Sequence, residues 1–399
     1  MDAQDQREPS HPARFSPAMC GMLALMADNL FTSALVPILP DIAHNCNLSL
    51  SSIGWILSTR SLVQLLHSLT LSGPLVHHFG AVGIFLFGLF VEIASCGLTA
   101  HAGSLAVFLG AQVAHGIGAS AFTTAALTLI VQSTDNGSRG KSLGIFYSGI
   151  AYGYVAGTAI GGSVYQHIGQ VALFWIIAGF FGIVVVISFF ALPKSGSLAQ
   201  MQPSDFSPMM KLFADLRIKM AMLSMATSAA CVGNTLVLFP NYFHEYFDFG
   251  SEKIGFLMMS GPAGYLFASQ VAGYFVDRTA KHRIAMVGLA AIALSFALFS
   301  VSQSRVVSAV ACYAIGFAST SFVDVSQPAF IAATVEQLEG SYTAGAALGD
   351  AAVGIGYATM VFVSWLQEQL EMATVLSITA GWCGLVLVAL AVIFERRSS

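Results

Sequence analysis

Apolar residues run through this chain in long stretches, at about 17–42, 51–76, 82–100, 104–132, 142–165, 171–192, 218–243, 254–276, 284–302, 307–334, 343–366 and 373–394. Each is near the roughly twenty residues an α-helix needs to cross the hydrocarbon core of a bilayer. The pattern predicts an all-α integral membrane protein of about twelve transmembrane helices. The longest polar stretch, Ser195 to Asp215, falls between the sixth and seventh runs. It divides the chain into a cytoplasmic tail (1–15), a six-helix bundle (16–193), a cytoplasmic linker (194–215), a second six-helix bundle (216–395) and a short tail (396–399). The first fifteen residues are polar and lead to no small-residue cleavage site, so the first run is read as a retained span.

Composition narrows the class. Only 9% of the 399 residues are charged and 56% are hydrophobic, with a mean hydropathy of +0.75. Soluble domains carry about 25% charged residues, which excludes a soluble globular protein. Lys and Arg then orient the chain: thirteen of sixteen fall on one side of the expected topology, Lys253 and Arg305 on the other, and Arg60 within a span. Positive charge stays in the cytosol, which places both termini there. Gly73-Pro-Leu-Val-His77-His78 and Gly273-Tyr-Phe-Val-Asp277-Arg278 close the second and eighth spans 200 residues apart, as a repeat of six-span halves would. Of two glycosylation sequons, at Asn47 and Asn136, only the first lies outside the cytosol, and it is too near the membrane for use to be expected. The six cysteines form no Cys-x-x-Cys pair, and neither a phosphate-binding Gly-x-x-x-x-Gly-Lys-Ser/Thr nor a His/Cys cluster occurs. No disulfide framework, metal, cofactor or ATP-driven step is expected. The expected partners are a small-molecule substrate, protons and the lipid bilayer, with no nucleic acid, and the expected state is monomeric.

Ionisable side chains inside the predicted spans are few: Asp28, Arg60, Glu92, Asp324 and Asp350, with His67 and His115. A charge at the bilayer centre costs roughly 2.5–3.5 kcal/mol on insertion scales, so each is a candidate functional group facing protein or water. Asp28 opens Asp-Asn-Leu-Phe-Thr-Ser-Ala-Leu-Val-Pro37-Ile-Leu-Pro40, one carboxylate in an apolar helix followed by paired prolines. Opposite charges lower each other's burial cost, which gives Arg60 an acidic partner. We expect that partner to be Asp350, as an ion pair that breaks during transport or as a static tie. Proton coupling needs a carboxyl whose surroundings change, and Asp28 and Asp350 lead the candidates, followed by Asp324. Glu92 has no assigned role. His67 and His115 are candidates for proton relay or for packing alone. Phe31, Phe239, Tyr265 and Tyr357 are candidate linings for an organic cation, whose charge is attracted to aromatic faces.

Several stretches resemble the major facilitator superfamily, and within it the vesicular amine transporters of the drug:proton antiporters. They are Asp28-Asn29 with Val36-Pro37-Ile38-x-Pro40, Arg60-Ser-Leu-Val-Gln64-Leu65, His115-Gly116-Ile117-Gly118-Ala-Ser120, the fifth-span run from Gly149 to Tyr165, Pro262-Ala-Gly-Tyr265-Leu266, and Ala347-Leu-Gly-Asp350 through Ala358. The resemblance implies proton-coupled antiport of a small organic cation or amphipathic compound out of the cytoplasm by alternating access, not enzymatic catalysis. It adds Asn29, Gln64, Gln112, His115 and Asn234 as candidate linings. Gly149, Gly153, Gly157 and Gly161 recur every four residues on one helix face, which lets a neighbour approach closely. The resemblance implies that this face packs against the other half, for gating or for packing alone. The chain departs from the pattern at His77, Gln112 and Thr158, lacks the seventh-span acid, where Asn234 and Leu236 stand, and has a short loop after the first span. The alternatives are a drug or secondary-metabolite efflux pump at the cell surface, a sensor or receptor with a transporter fold, and an intramembrane enzyme. The membrane is either the plasma membrane or that of a vesicle.

Overall fold

The computed structural model describes residues 16–134, 139–192, 206–276, 278–301, 305–338 and 342–395. The two tails, residues 193–205 at the start of the expected linker, Asp277 of the repeat and the Asn136 sequon lie outside them. In the first half the helices are α1 Pro17–Leu35, α2 Leu39–Asn45, α3 Leu50–His67, α4 Gly73–Phe79, α5 Ala81–Ala100, α6 Leu105–Ser133, α7 Arg139–Ile168 and α8 Gln170–Ala191. The second half holds α9 Phe206–Ala214, α10 Leu216–Phe247, α11 Ser251–Met258, α12 Ser260–Val276, α13 Lys281–Val301, α14 Val306–Gln337, α15 Tyr342–Ala358, α16 Met360–Gln369 and α17 Met372–Glu395.

Among the described residues, ten stretches are long and apolar enough to cross a membrane. The expected second and eighth spans are missing from the ten, and each is interrupted, as are the first at Val36–Ile38 and the eleventh at Thr359. A π turn at Ser68–Ser72 separates α3 from α4, and Met259 separates α11 from α12. Proline accounts for both breaks, since it lacks an N–H and its ring clashes with the carbonyl four residues back. Pro74 aims that clash at Thr70, within the π turn, and Pro262 aims it at Met258, the end of α11. Gly80, after α4, has φ of 81°, a conformation other residues adopt at a cost.

The first span begins on a Ser16 cap and Pro17 at its first turn, and ends where Pro37 turns the backbone into a 3-10 segment, Val36–Ile38. Its polar side chains bond back within the helix: Asn29 Nδ2 donates to Leu25 O at 2.8 Å and Ser33 Oγ to Asn29 O at 2.7 Å. Large apolar side chains are left outside the bundle, with Phe190 and Val307 81% and Phe267 77% exposed. In water such a surface would aggregate, whereas lipid tails cover it at no cost.

The glycine stripe of α7 packs on α1, not on the other half as expected. A Cβ added at Gly149, Gly153 or Gly157 would lie 2.4–2.5 Å from the carbonyl oxygens of Met22, Met26 and Leu30, and one at Gly161 2.5 Å from Ala34. The stripe therefore holds two spans of the same half together. The halves meet nearby through other glycines: a Cβ at Gly162 would lie 2.2 Å from Ser251 O of α11, and one at Gly255 2.3 Å from Thr158 O.

Bonds between the halves gather at the end opposite the linker. Ser51 N–H donates to Glu368 at 2.6 Å, the Glu252 N–H to Gln166 at 3.0 Å, and Ser251 bonds Asp41. His167 and Glu252 lie 3.5 Å apart, His244 and Asp41 3.6 Å. A cavity of about 540 Å³ opens there between Asp41, His44, Asn45, Tyr165 and His244.

At the linker end, Asp215 caps α10 by accepting from the Arg217 N–H at 2.7 Å. The Arg217 side chain, also bonded to it, holds its carboxyl below the usual carboxylate range. That contribution is complete above the ordinary carboxylate pKa and is lost as pH falls through the lower folded value. Asp215→Ala should cost about 0.5–2 kcal/mol, read as a lower melting temperature in detergent at neutral pH.

Candidate functional site

Four helices of the first half bring their ionisable side chains to one point. Asp28 of α1 is 2% exposed and receives Arg60 of α3, whose Nη2 lies 2.7 and 2.6 Å from the two carboxylate oxygens. His115 of α6 is 1% exposed, with Nε2 2.9 Å from Asp28 Oδ1 and 3.1 Å from Arg60 Nε. Glu92 of α5 is fully buried, with Oε2 3.6 Å from the same Nε2. The Phe31 ring stacks on the imidazole at 4.2 Å between centroids.

This geometry revises the expected pairing. Arg60 is bonded to Asp28, and Asp350 is exposed on α15, in electrostatic contact with Tyr147 of α7. The reason is position along the spans. Asp28, Arg60 and His115 lie well inside α1, α3 and α6, whereas Asp350 stands two residues into the apolar stretch Leu348–Gln369. Phe31 is fully buried over His115, and Phe239 is fully buried against Phe243, Phe299 and Tyr313, so neither lines an open site. His67 is bonded to Ser72 and Ser120 and ties the π turn of the second span to α6.

A second polar cluster lies in the other half. Asp324 of α14 accepts from Ser228 Oγ at 2.9 Å and from Tyr265 OH at 3.3 Å. Between the clusters, Tyr154 of α7 hydrogen-bonds Tyr357 of α15 and packs 6.3 Å from the Phe317 ring, which in turn is 6.3 Å from Tyr265. Two carboxylates are thus separated by a wall of phenols spanning both halves. Asn234 donates to Thr379 at 3.4 Å, inside the second half. Gln112 is 2% exposed and its Nε2 has no partner, while Gln64 is half-buried on α3.

Sequence reasoning did not single out Tyr154, Ser228 or Phe317. Tyr154 carried one usable signal, since it directly follows Gly153 and so flanks the glycine stripe. Donor atoms of Asp28, Glu92 and His115 lie within 4.8 Å of one another, a spacing a metal ion could use. The chemistry of the set argues otherwise, because the Arg60 guanidinium already occupies both Asp28 oxygens.

Comparison with known proteins supplies the lineage. The sequence matches the profile of the Major Facilitator Superfamily over residues 20–360. The chain belongs to that superfamily. It is 25% identical over 252 residues to the chromaffin granule amine transporter of Rattus norvegicus, covering 61% of this chain and 46% of that one. Against the synaptic vesicular amine transporter of Homo sapiens it is 23% identical over 308 residues, covering 77% and 59%. The chain thus spans about half the length of these relatives. It also matches the riboflavin transporter RibZ of Clostridioides difficile (strain 630), 25% identical over 155 residues, covering 39% and 34%. The crystal structure of the nucleoside transporter NupG shares the fold, with a TM-score of 0.76 over 94% of this chain and 98% of that one at 13% identity. As a major facilitator protein the chain is all-α and multi-pass, and among its relatives the vesicular amine transporters are similar over most of its length.

Proposed function

We propose that this protein is a proton-coupled antiporter that carries a small organic cation or amphipathic compound out of the cytoplasm by alternating access. The carrying observation is the pair of carboxylate clusters, buried Asp28 with Arg60 and half-buried Asp324 with Tyr265, facing each other across Tyr154 and Tyr357. A cation between them would meet a carboxylate in either half and aromatic faces around it, an arrangement that attracts ammonium groups. Placement between two repeats suits a site exposed alternately to either side as the halves rock. The names of the amine transporter relatives support the substrate class.

Both termini are proposed to be cytosolic, on the distribution of Lys and Arg. The bonded end then faces away from the cytosol, and exposed Asp350 lies on the cytosolic side as an entry group. The site roles of Asp28, Arg60, Asp324 and Asp350 belong to this proposal, as does a monomeric state. A general efflux role is the second reading. Asn234, bonded to Thr379 in place of a seventh-span acid, favours it by leaving the second half one carboxylate fewer for a defined amine.

Purified protein in proteoliposomes, offered a panel of organic cations with and without an imposed pH gradient, tests the proposal. Accumulation driven by the gradient is expected. Binding without flux would make the protein a sensor and sink the antiport reading.

A further inference from the structure

Glu92 is the group that the proposed transport cycle does not use. Its carboxyl is fully buried and neither oxygen has a hydrogen-bond partner. The chain makes room for it: a Cβ added at Gly118 of α6 would lie 2.8 Å from Glu92 Oε1. Its ionisable surroundings are few. They are Cys96 on its own helix, His115 on α6, Asp28 on α1 and Arg60 on α3, with Tyr154 of α7 acting on Asp28 and Arg60. α8, which also packs on α5, brings no ionisable side chain.

Charge counting gives this carboxyl a task. Asp28 and Glu92 ionised against one guanidinium leave the cluster one negative charge in excess. In a buried site that excess must be neutralised, by a proton or by a cation. The proton has a path. Arg60 Nε can only donate, so its bond to His115 Nε2 puts the ring proton on Nδ1, and the 2.9 Å contact of that bare nitrogen with Asp28 Oδ1 then places a proton on Oδ1 as donor. The bare Nε2 also lies close to both carboxyls, 2.9 Å from Asp28 and 3.6 Å from Glu92.

We propose that Glu92 is the proton-storing group of the transporter, loaded and emptied through His115 Nε2. A proton on Asp28 Oδ1 passes to Nε2, making the imidazolium. The same proton leaves Nε2 for Glu92 Oε2, the O–H bond forms as the N–H bond breaks, and the imidazole returns to its starting tautomer. Asp28 is left ionised and paired with Arg60, a carboxylate whose negative charge draws an organic cation toward the cluster. Arrival of that cation supplies the neutralising charge, so the stored proton returns from Glu92 Oε2 to His115 Nε2, the O–H bond breaking as the N–H bond forms, and passes from Nε2 to solvent. The inference rests on the antiport reading for its purpose, but the location of the proton is a property of the chain alone.

Two measurements test it separately. In the first, infrared difference spectra of the purified full chain are taken across a pH titration, with and without isotope-labelled glutamate. A protonated carboxyl band is expected that moves with the glutamate label, vanishes in Glu92→Gln and titrates over a different range in His115→Gln. No such band, a band indifferent to the label, or one that survives in Glu92→Gln overturns the proposal. In the second, ethidium binding is followed against pH. Displacement of one stored proton makes wild-type affinity rise by up to about tenfold per pH unit in the titrating range, and Glu92→Gln should flatten that slope. A purely structural Glu92 would leave the slope unchanged. Absence of gradient-driven ethidium flux in wild-type vesicles would instead defeat the antiport reading, with the infrared result still deciding where the proton sits.

Discussion

Asp28→Asn is expected to lower gradient-driven cation uptake at least ~100-fold while the protein still folds. The substitution keeps the shape of the side chain and removes the charge to which Arg60 Nη2 is bonded at 2.6 and 2.7 Å. Removing one member of a buried pair costs about 3–5 kcal/mol when the survivor is stranded. Here the survivor is not stranded, because Glu92 lies near enough to ionise as a counter-charge, and α1 is held independently by the glycine stripe of α7. Fold and function should therefore separate. A loss of only 3 kcal/mol in cation binding corresponds to about a 150-fold weaker affinity. Arg60→Ala should behave differently, since it leaves two carboxyls together with no fixed positive charge. That variant is expected to lose folded protein as well as uptake, measured by size-exclusion profile and melting temperature beside the transport assay. Undiminished uptake in Asp28→Asn would remove the site from the mechanism.

Spans, class and family were legible in the sequence because a bilayer imposes a length and a composition that few other constraints mimic. The breaks in the second and eighth spans were partly legible, since Pro74 and Pro262 mark them, but each continuous apolar run hid the break. Pairing was harder. Arg60 was correctly given an acidic partner, yet the choice between Asp28 and Asp350 depends on depth along helices whose boundaries carry an error of a few residues, and one helical turn moves a side chain by about 5.4 Å. The glycine stripe shows the same limit: spacing says that a close neighbour exists on that face, and nothing in the spacing says which helix it is. Tyr154 was overlooked because an aromatic next to a glycine in a membrane helix has the composition of ordinary packing.

The glycines on the two sides of α7 should respond to enlargement in opposite ways. Gly153→Leu would drive a side chain into the Met26 carbonyl and the Asn29 side chain of α1, within one half, in every state of the transport cycle. Overpacking of that kind costs about 1–3 kcal/mol or more, and the expected result is loss of folded protein. Gly162→Leu places its Cβ 2.2 Å from Ser251 O, which belongs to the other half. The clash exists only while the end opposite the linker is closed, so opening that end relieves it. A cost of about 1–3 kcal/mol borne by one of two states shifts their ratio roughly 5–150-fold. Gly162→Leu should therefore stay folded, populate the state open at that end, and transport slowly because closure is penalised. An Asn45→Cys reporter in the cavity beside Tyr165 and His244 measures the shift. Its labelling by an impermeant thiol reagent from the outer face should accelerate in the Gly162→Leu background and stay unchanged in Gly153→Ala, the milder change on the intra-half stripe. Equal labelling in both backgrounds would mean that Gly162 marks a fixed seam between the halves and that the moving contact lies elsewhere.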